Sequence, residues 1–120
     1  MDTTEPRLDI SPDRAILRLE DELGLSETEF AGALGTSQRT LERWRSGGSH
    51  PQRAARLRLA ELLVLARRLE ETFGKEGAAG EWLRADNRYL GGMKPSEAIR
   101  AGRVDRVEAA LEALDSGVFL

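Results

Sequence analysis

The sequence predicts an all-α fold, and three observations predict it. Apolar residues recur at helical spacing along most of the chain, and strand-like alternation is nowhere sustained. Capping residues and prolines stand just before the apolar stretches. Glycines stand just after them.

Residues 1–11 read as a polar arm. The first helix opens at Ser11-Pro12, a cap followed by a proline at the first helical position. Ile16, Leu17, Leu19 and Leu23 give it an apolar face, and Gly24 ends it. The second opens at Ser26-Glu27-Thr28-Glu29, a capping box in which hydroxyl and carboxylate satisfy backbone donors reciprocally. Phe30, Ala31 and Leu34 face inward, and Gly35 closes it. The third is capped by Thr36 or Ser37, carries Leu41 and Trp44, and stops at Gly47-Gly48.

A fourth, longer helix runs from near Pro51 to about Phe73. Its apolar positions are Leu57, Leu62, Leu65, Ala66, Leu69 and Phe73. Lys75 to Gly80 reads as a hinge. Beyond it come a short helix with its exit over Glu81–Leu90, a Gly91-Gly92 turn, and a short helix from Pro95 to Gly102. A last helix is lined by Val104, Val107, Leu111 and Leu114 and stopped by Gly117. The expected division is an arm over 1–11, a helix-turn-helix unit over 12–75, and a second helical unit over 76–120.

Composition excludes several classes of function. The 120 residues contain no cysteine and one histidine, His50, so thiolate sites and multi-histidine metal centres are out. No apolar run approaches the length of a membrane span. The acidic start, Met1 to Pro6, does not read as a targeting peptide, so a cytoplasmic protein is expected. An enzyme is not expected, because no carboxylate pair sits among apolar residues. No cofactor is expected either.

The net charge of −3 hides an asymmetry. Residues 36–58 hold six arginines and one glutamate, whereas residues 1–35 hold three basic and nine acidic side chains. The basic block is Arg39, Arg43, Arg45, Arg53, Arg56 and Arg58. A planar guanidinium suits phosphate and guanine edges.

The second and third helices are joined by the short connection that a helix-turn-helix needs. In that frame Ala31 is the small residue and Gly35 the left-handed turn. Ser37, Gln38, Arg39, Glu42, Arg43 and Ser46 then point outward, and Thr40 joins them as a candidate DNA contact; Gln38 suits adenine, and Arg39 or Arg43 suits guanine. Arg45, Arg53 and Arg56 are candidate phosphate clamps. Glu42 would repel phosphate unless it reads a cytosine amino group. A helical hairpin that merely packs is the alternative. Trp44 falls on the buried seam, and His50 suits a cap or a phosphate contact. Leu62, Ala66, Leu69 and Phe73, at heptad-like spacing, are candidates for a homodimer seam or for core.

The last forty residues carry Trp82-Leu83, Asn87, Leu90-Gly91-Gly92, Pro95, a stretch from Arg100 to Arg103 around Gly102, and Gly117-Val118-Phe119-Leu120. With Arg39-Thr40-Leu41-Glu42-Arg43-Trp44 upstream, this resembles the Xre/MbcA/ParS-type antitoxins, from about residue 13 to the end. The resemblance implies an Xre-like helix-turn-helix fused to a toxin-binding domain. It implies a partner toxin of the RES-domain type, which destroys cellular NAD, and autorepression at operator DNA. NAD would belong to the toxin. The toxin-facing candidates it implies are Trp82, Asn87, Tyr89, Leu90, Gly91, Gly92, Pro95, Val118, Phe119 and Leu120. Trp82, Leu90 and Pro95 read equally well as structural.

The apolar end, Val118-Phe119-Leu120, is expected to be buried, either on the last helix or in a partner. A free-standing repressor whose second unit dimerises or senses a ligand is the competing reading. It would not need the Trp-Leu…Asn…Leu-Gly-Gly…Pro string.

Overall fold

A computed structural model describes residues 7–74 and 77–117, and the described residues are helical, with no strand among them. The helices are α1 (Pro12–Leu23), α2 (Glu27–Leu34), α3 (Gln38–Arg45), α4 (Arg53–Phe73), α5 (Ala78–Arg84), α6 (Pro95–Arg100) and α7 (Val104–Ser116). A single 3-10 turn, Arg88–Leu90, lies between α5 and α6.

Local chemistry accounts for most of the boundaries. Pro12 occupies the first turn of α1, and Gly24 ends it in the left-handed region, φ +61°. At α2 the Ser26 Oγ accepts from the Glu29 amide at 3.1 Å, and the Glu29 carboxylate accepts from the Ser26 amide at 2.9 Å. Ser37, rather than Thr36, caps α3, its hydroxyl accepting from the Thr40 amide at 3.1 Å. The expected hinge is partly helical. Lys75 and Glu76 lie outside the described residues, but α5 already begins at Ala78.

One hydrophobic core runs through both expected units. Ile16 and Leu19 of α1, Phe30 of α2 and Leu41 of α3 join Leu59, Leu62, Leu65 and Leu69 of α4. Leu83, Ile99, Val107 and Leu111 extend the same cluster into the C-terminal helices. Truncating a side chain as central as Phe30 to alanine costs about 3–5 kcal/mol, because transfer and cavity terms add. The Phe73 and Trp82 rings pack at a tilt with centroids 5.7 Å apart and pin α5 to the end of α4.

The apolar stripes do not all point where the spacing predicts. Leu17 is 53% exposed and Leu114 is 40% exposed, so neither belongs to its helix's buried face. Each marks the edge of a stripe completed by alanines: Ala15 in α1, Ala110 and Ala113 in α7. Leu62, Ala66 and Leu69 are buried in the chain's own core, which removes them as an intermolecular seam.

The most extensive helix pairing is α2 on α6. It depends on a glycine that spacing alone did not single out. A Cβ at Gly32 would sit 2.5 Å from the backbone oxygen of Arg100, so only glycine allows this approach. Ala31, the expected small residue, is also buried. The first unit is therefore fastened to the second through the middle of α2.

Candidate functional site

The α2–α3 connection is short and sharply turned. Three residues, Gly35-Thr36-Ser37, separate the helices. Gly35 adopts φ +72° and donates to the Gly32 carbonyl at 3.1 Å, while the Thr36 amide donates to the Ala31 carbonyl at 3.0 Å. These two bonds satisfy the last carbonyls of α2 and turn the chain sharply into α3. Leu41 and Trp44 hold α3 in the core. The opposite face carries Gln38, Arg39, Glu42 and Arg43, all exposed.

The arginine block divides into two groups. Arg39, Arg43, Arg53 and Arg56 are exposed. Arg53 and Arg56 line an open depression of about 410 Å³ with Arg7 of the N-terminal arm, a cation that sequence reasoning did not connect with them. Arg56 also donates to the Pro51 carbonyl at 3.2 Å. Its guanidinium is thus steadied at the start of α4.

Arg45 and Arg58 are turned inward. Arg45 Nε donates to both Glu20 carboxylate oxygens at 3.1 Å, and its Nη2 pairs with Glu27 at 2.6 Å. Its Nη1 pairs with Glu42. The hydrogen bonds it donates to Glu20 and then to Glu27 push its already high pKa further up against the opposing effect of burial. Arg45, expected as a phosphate clamp, is here engaged by three carboxylates instead of standing exposed with Arg39 and Arg43. Its charge ties α3 to α1 and α2. The same contact accounts for Glu42, which neutralises Arg45 on its own helix.

Arg58 donates to the Ala33 carbonyl at 3.3 Å and lies over Gly102, where an added Cβ would meet its Nη1 at 2.5 Å. It links the end of α2 to the α6–α7 turn.

Other outward candidates have local duties. The Gln38 Nε2 donates to Thr28 Oγ1 at 2.9 Å, holding its amide across the two helix starts. The hydroxyls of Ser37 and Thr40 are bonded to each other at 3.1 Å in the α3 cap.

The C-terminal candidates separate in the same way. Leu90 and Pro95 are buried, and Trp82 is partly buried on Phe73, so all three hold the fold. Asn87 organises the following turn. Its Oδ1 accepts from the Leu90 amide at 3.3 Å, its amide donates to the Met93 carbonyl at 3.1 Å, and its carbonyl accepts from Gly92 at 2.8 Å. Gly91 and Gly92 take φ +69° and +95°, which closes the loop on itself. Tyr89 and Met93 stand out from it, 40% and 42% exposed. Met93 carried no motif signal, and only its exposure singles it out. Val118, Phe119 and Leu120 lie outside the described residues.

Arg84 joins this unit to the capping box. Its guanidinium pairs with Glu29 at 2.7 Å and donates to the Gly24 carbonyl at 2.6 Å. Burial raises the Glu29 pKa, but Arg84 and the Ser26 amide outweigh it and hold the carboxyl below its ordinary range.

Known proteins share this arrangement. The family described as the antitoxin Xre/MbcA/ParS C-terminal toxin-binding domain matches residues 68–117. The mycobacterial cidal antitoxin MbcA of Mycobacterium tuberculosis is 35% identical over 100 residues, covering 83% of this chain and 88% of its own length. The chain belongs to the MbcA antitoxin family.

A probable mycobacterial cidal antitoxin of the same organism is 31% identical over 97 residues, covering 81% of this chain and 82% of its own. The crystal structure of the M. tuberculosis MbcT–MbcA toxin–antitoxin complex contains a chain that superposes with a TM-score of 0.66 at 32% identity. The match covers 90% of this chain and 96% of that one. The all-α reading and the family resemblance both hold. Among the described residues, no helix is long and apolar enough to cross a membrane, and no group of three or more His, Asp or Glu is placed to hold a metal.

Proposed function

We propose that this member of the MbcA family neutralises a cognate toxin through residues 76–120 and represses its own operon through residues 12–75. The toxin is of the RES-domain type that degrades NAD, and the antitoxin works by covering its active site. The chain itself supplies no catalytic group. It acts in the cytoplasm as a homodimer, since a helix-turn-helix reads two half-sites about one DNA turn apart. The dimer contact uses a surface other than Leu62, Ala66 and Leu69, which are buried within the chain.

The observation that carries the toxin reading is the match to an antitoxin seen with its toxin, at 32% identity over 90% of this chain. The operator reading rests on Arg39 and Arg43, exposed on the face of α3 opposite Leu41 and Trp44. In that position they reach base edges and phosphates while the inward face stays in the core.

The test is co-expression. The reading frame adjoining the gene is expressed alone and then with this chain. Growth arrest with falling NAD, relieved by the chain, is the expected result. Absence of arrest, or arrest without relief, would leave a free-standing repressor as the better reading.

A further inference from the structure

We propose that the turn from Asn87 to Met93 is a preformed docking knob, with Tyr89 and Met93 seating in an apolar pocket of the partner toxin. The inference rests on the toxin reading above and names the surface that performs it.

Three observations carry it. The region matching a toxin-binding domain spans residues 68–117, and its helices direct their large apolar side chains into the chain's own core. Within that region the described large apolar side chains left exposed are Tyr89, Met93 and Leu114. Two of these three stand four residues apart on one turn, whereas Leu114 stands alone on α7.

The turn is also built to hold its shape. The bonds of Asn87 to Leu90, Gly92 and Met93 close it, and the buried Leu90 roots it in the core. Lys94 and Asp86 pair across its base at 3.4 Å. A loop fixed before binding loses little conformational entropy on docking. Tyrosine and methionine are both enriched at protein interfaces, tyrosine as a rigid anchor and methionine as an adaptable filler. A folded protein leaves such a pair on a rigid loop at the cost of solvating it, unless a partner covers it.

The experiment measures affinity of the full chain for the protein encoded by the adjoining reading frame, made with its active site disabled so that it can be purified. Tyr89→Ala and Met93→Ala are each expected to weaken binding by about tenfold to hundredfold. Leu114→Ala is expected to stay within about threefold. Operator affinity should match wild type for all three, and thermal unfolding should match for Met93→Ala and Leu114→Ala, whose side chains lie outside the core. Wild-type binding with both knob variants unchanged would overturn this proposal and leave the toxin reading standing. A loss at Leu114 alone would also overturn it and move the contact to α7. Failure of the wild-type chain to bind would overturn both.

Discussion

The face of α3 and the turn before α6 are two ways of leaving a surface open. On α3 the exposed groups are cations, Arg39 and Arg43, set opposite the apolar seam of Leu41 and Trp44. On the Asn87–Met93 turn they are apolar, Tyr89 and Met93, set on a loop closed by backbone bonds. A long flexible cation suits a polyanion whose phosphates repeat, because several geometries serve. A rigid apolar pair suits one complementary pocket. The contrast teaches that charge counted along a sequence overstates a binding surface, since Arg45 and Arg58 belong to the same block and are engaged within the fold.

The sharpest way to break the comparison is to separate the two regions. Gly32→Val places a branched side chain where even a Cβ would meet the Arg100 oxygen at 2.5 Å. It should cost about 3 kcal/mol of stability and impair both activities, read by denaturant unfolding. Stability unchanged by this variant would mean that α2 and α6 are not the joint between the units.

Next in size is the operator contact. Arg43→Ala should weaken operator binding by about 1–3 kcal/mol and relax sequence preference if it reads a base, with toxin binding intact. An electrophoretic titration against operator and scrambled duplexes checks it. Arg45→Ala sharpens the comparison from the other side. It should lower stability by about 2 kcal/mol through loss of charge-assisted bonds to Glu20, Glu27 and Glu42. A large operator defect at unchanged stability would return Arg45 to the DNA-facing group.

The smallest effect is a pH dependence. The folded-state pKa of Glu29 lies below its ordinary 4.5, so its stabilising contribution is fully present above that value. The contribution disappears as pH falls through the lowered value. Glu29→Gln should therefore be less stable than wild type near neutrality, by about 1 kcal/mol, and should converge with it in acid. Parallel curves down to low pH would show that Arg84 and the Ser26 amide do not depend on that charge.

Much of the fold is legible because its signals are local. Ser26 and Glu29 are three residues apart, and Gly35 meets carbonyls within its own helix, so neighbours in sequence are enough to place them. What was hidden depends on distant partners. Arg45 finds Glu20 twenty-five residues away, and Arg84 finds Gly24 sixty away. Gly32 looks like a weak spot in a helix until Arg100 is beside it.

The candidate site follows the same rule. Arg39 and Arg43 were legible from the phase of α3 against Leu41 and Trp44. Tyr89 came from a family pattern, and Met93 from neither. Leu17 and Leu114 show why. An apolar stripe on a helix has an edge, and packing decides which edge is covered.

The central claim is that one core presents two separable surfaces, cationic for DNA and apolar for toxin. The most direct test pairs an Arg39→Ala, Arg43→Ala double variant with a Tyr89→Ala, Met93→Ala double variant. Each is titrated with operator duplex and with inactivated toxin. The account predicts that the first loses operator and keeps toxin, and that the second does the reverse. Loss of both ligands by either variant, with the fold intact, would contradict it.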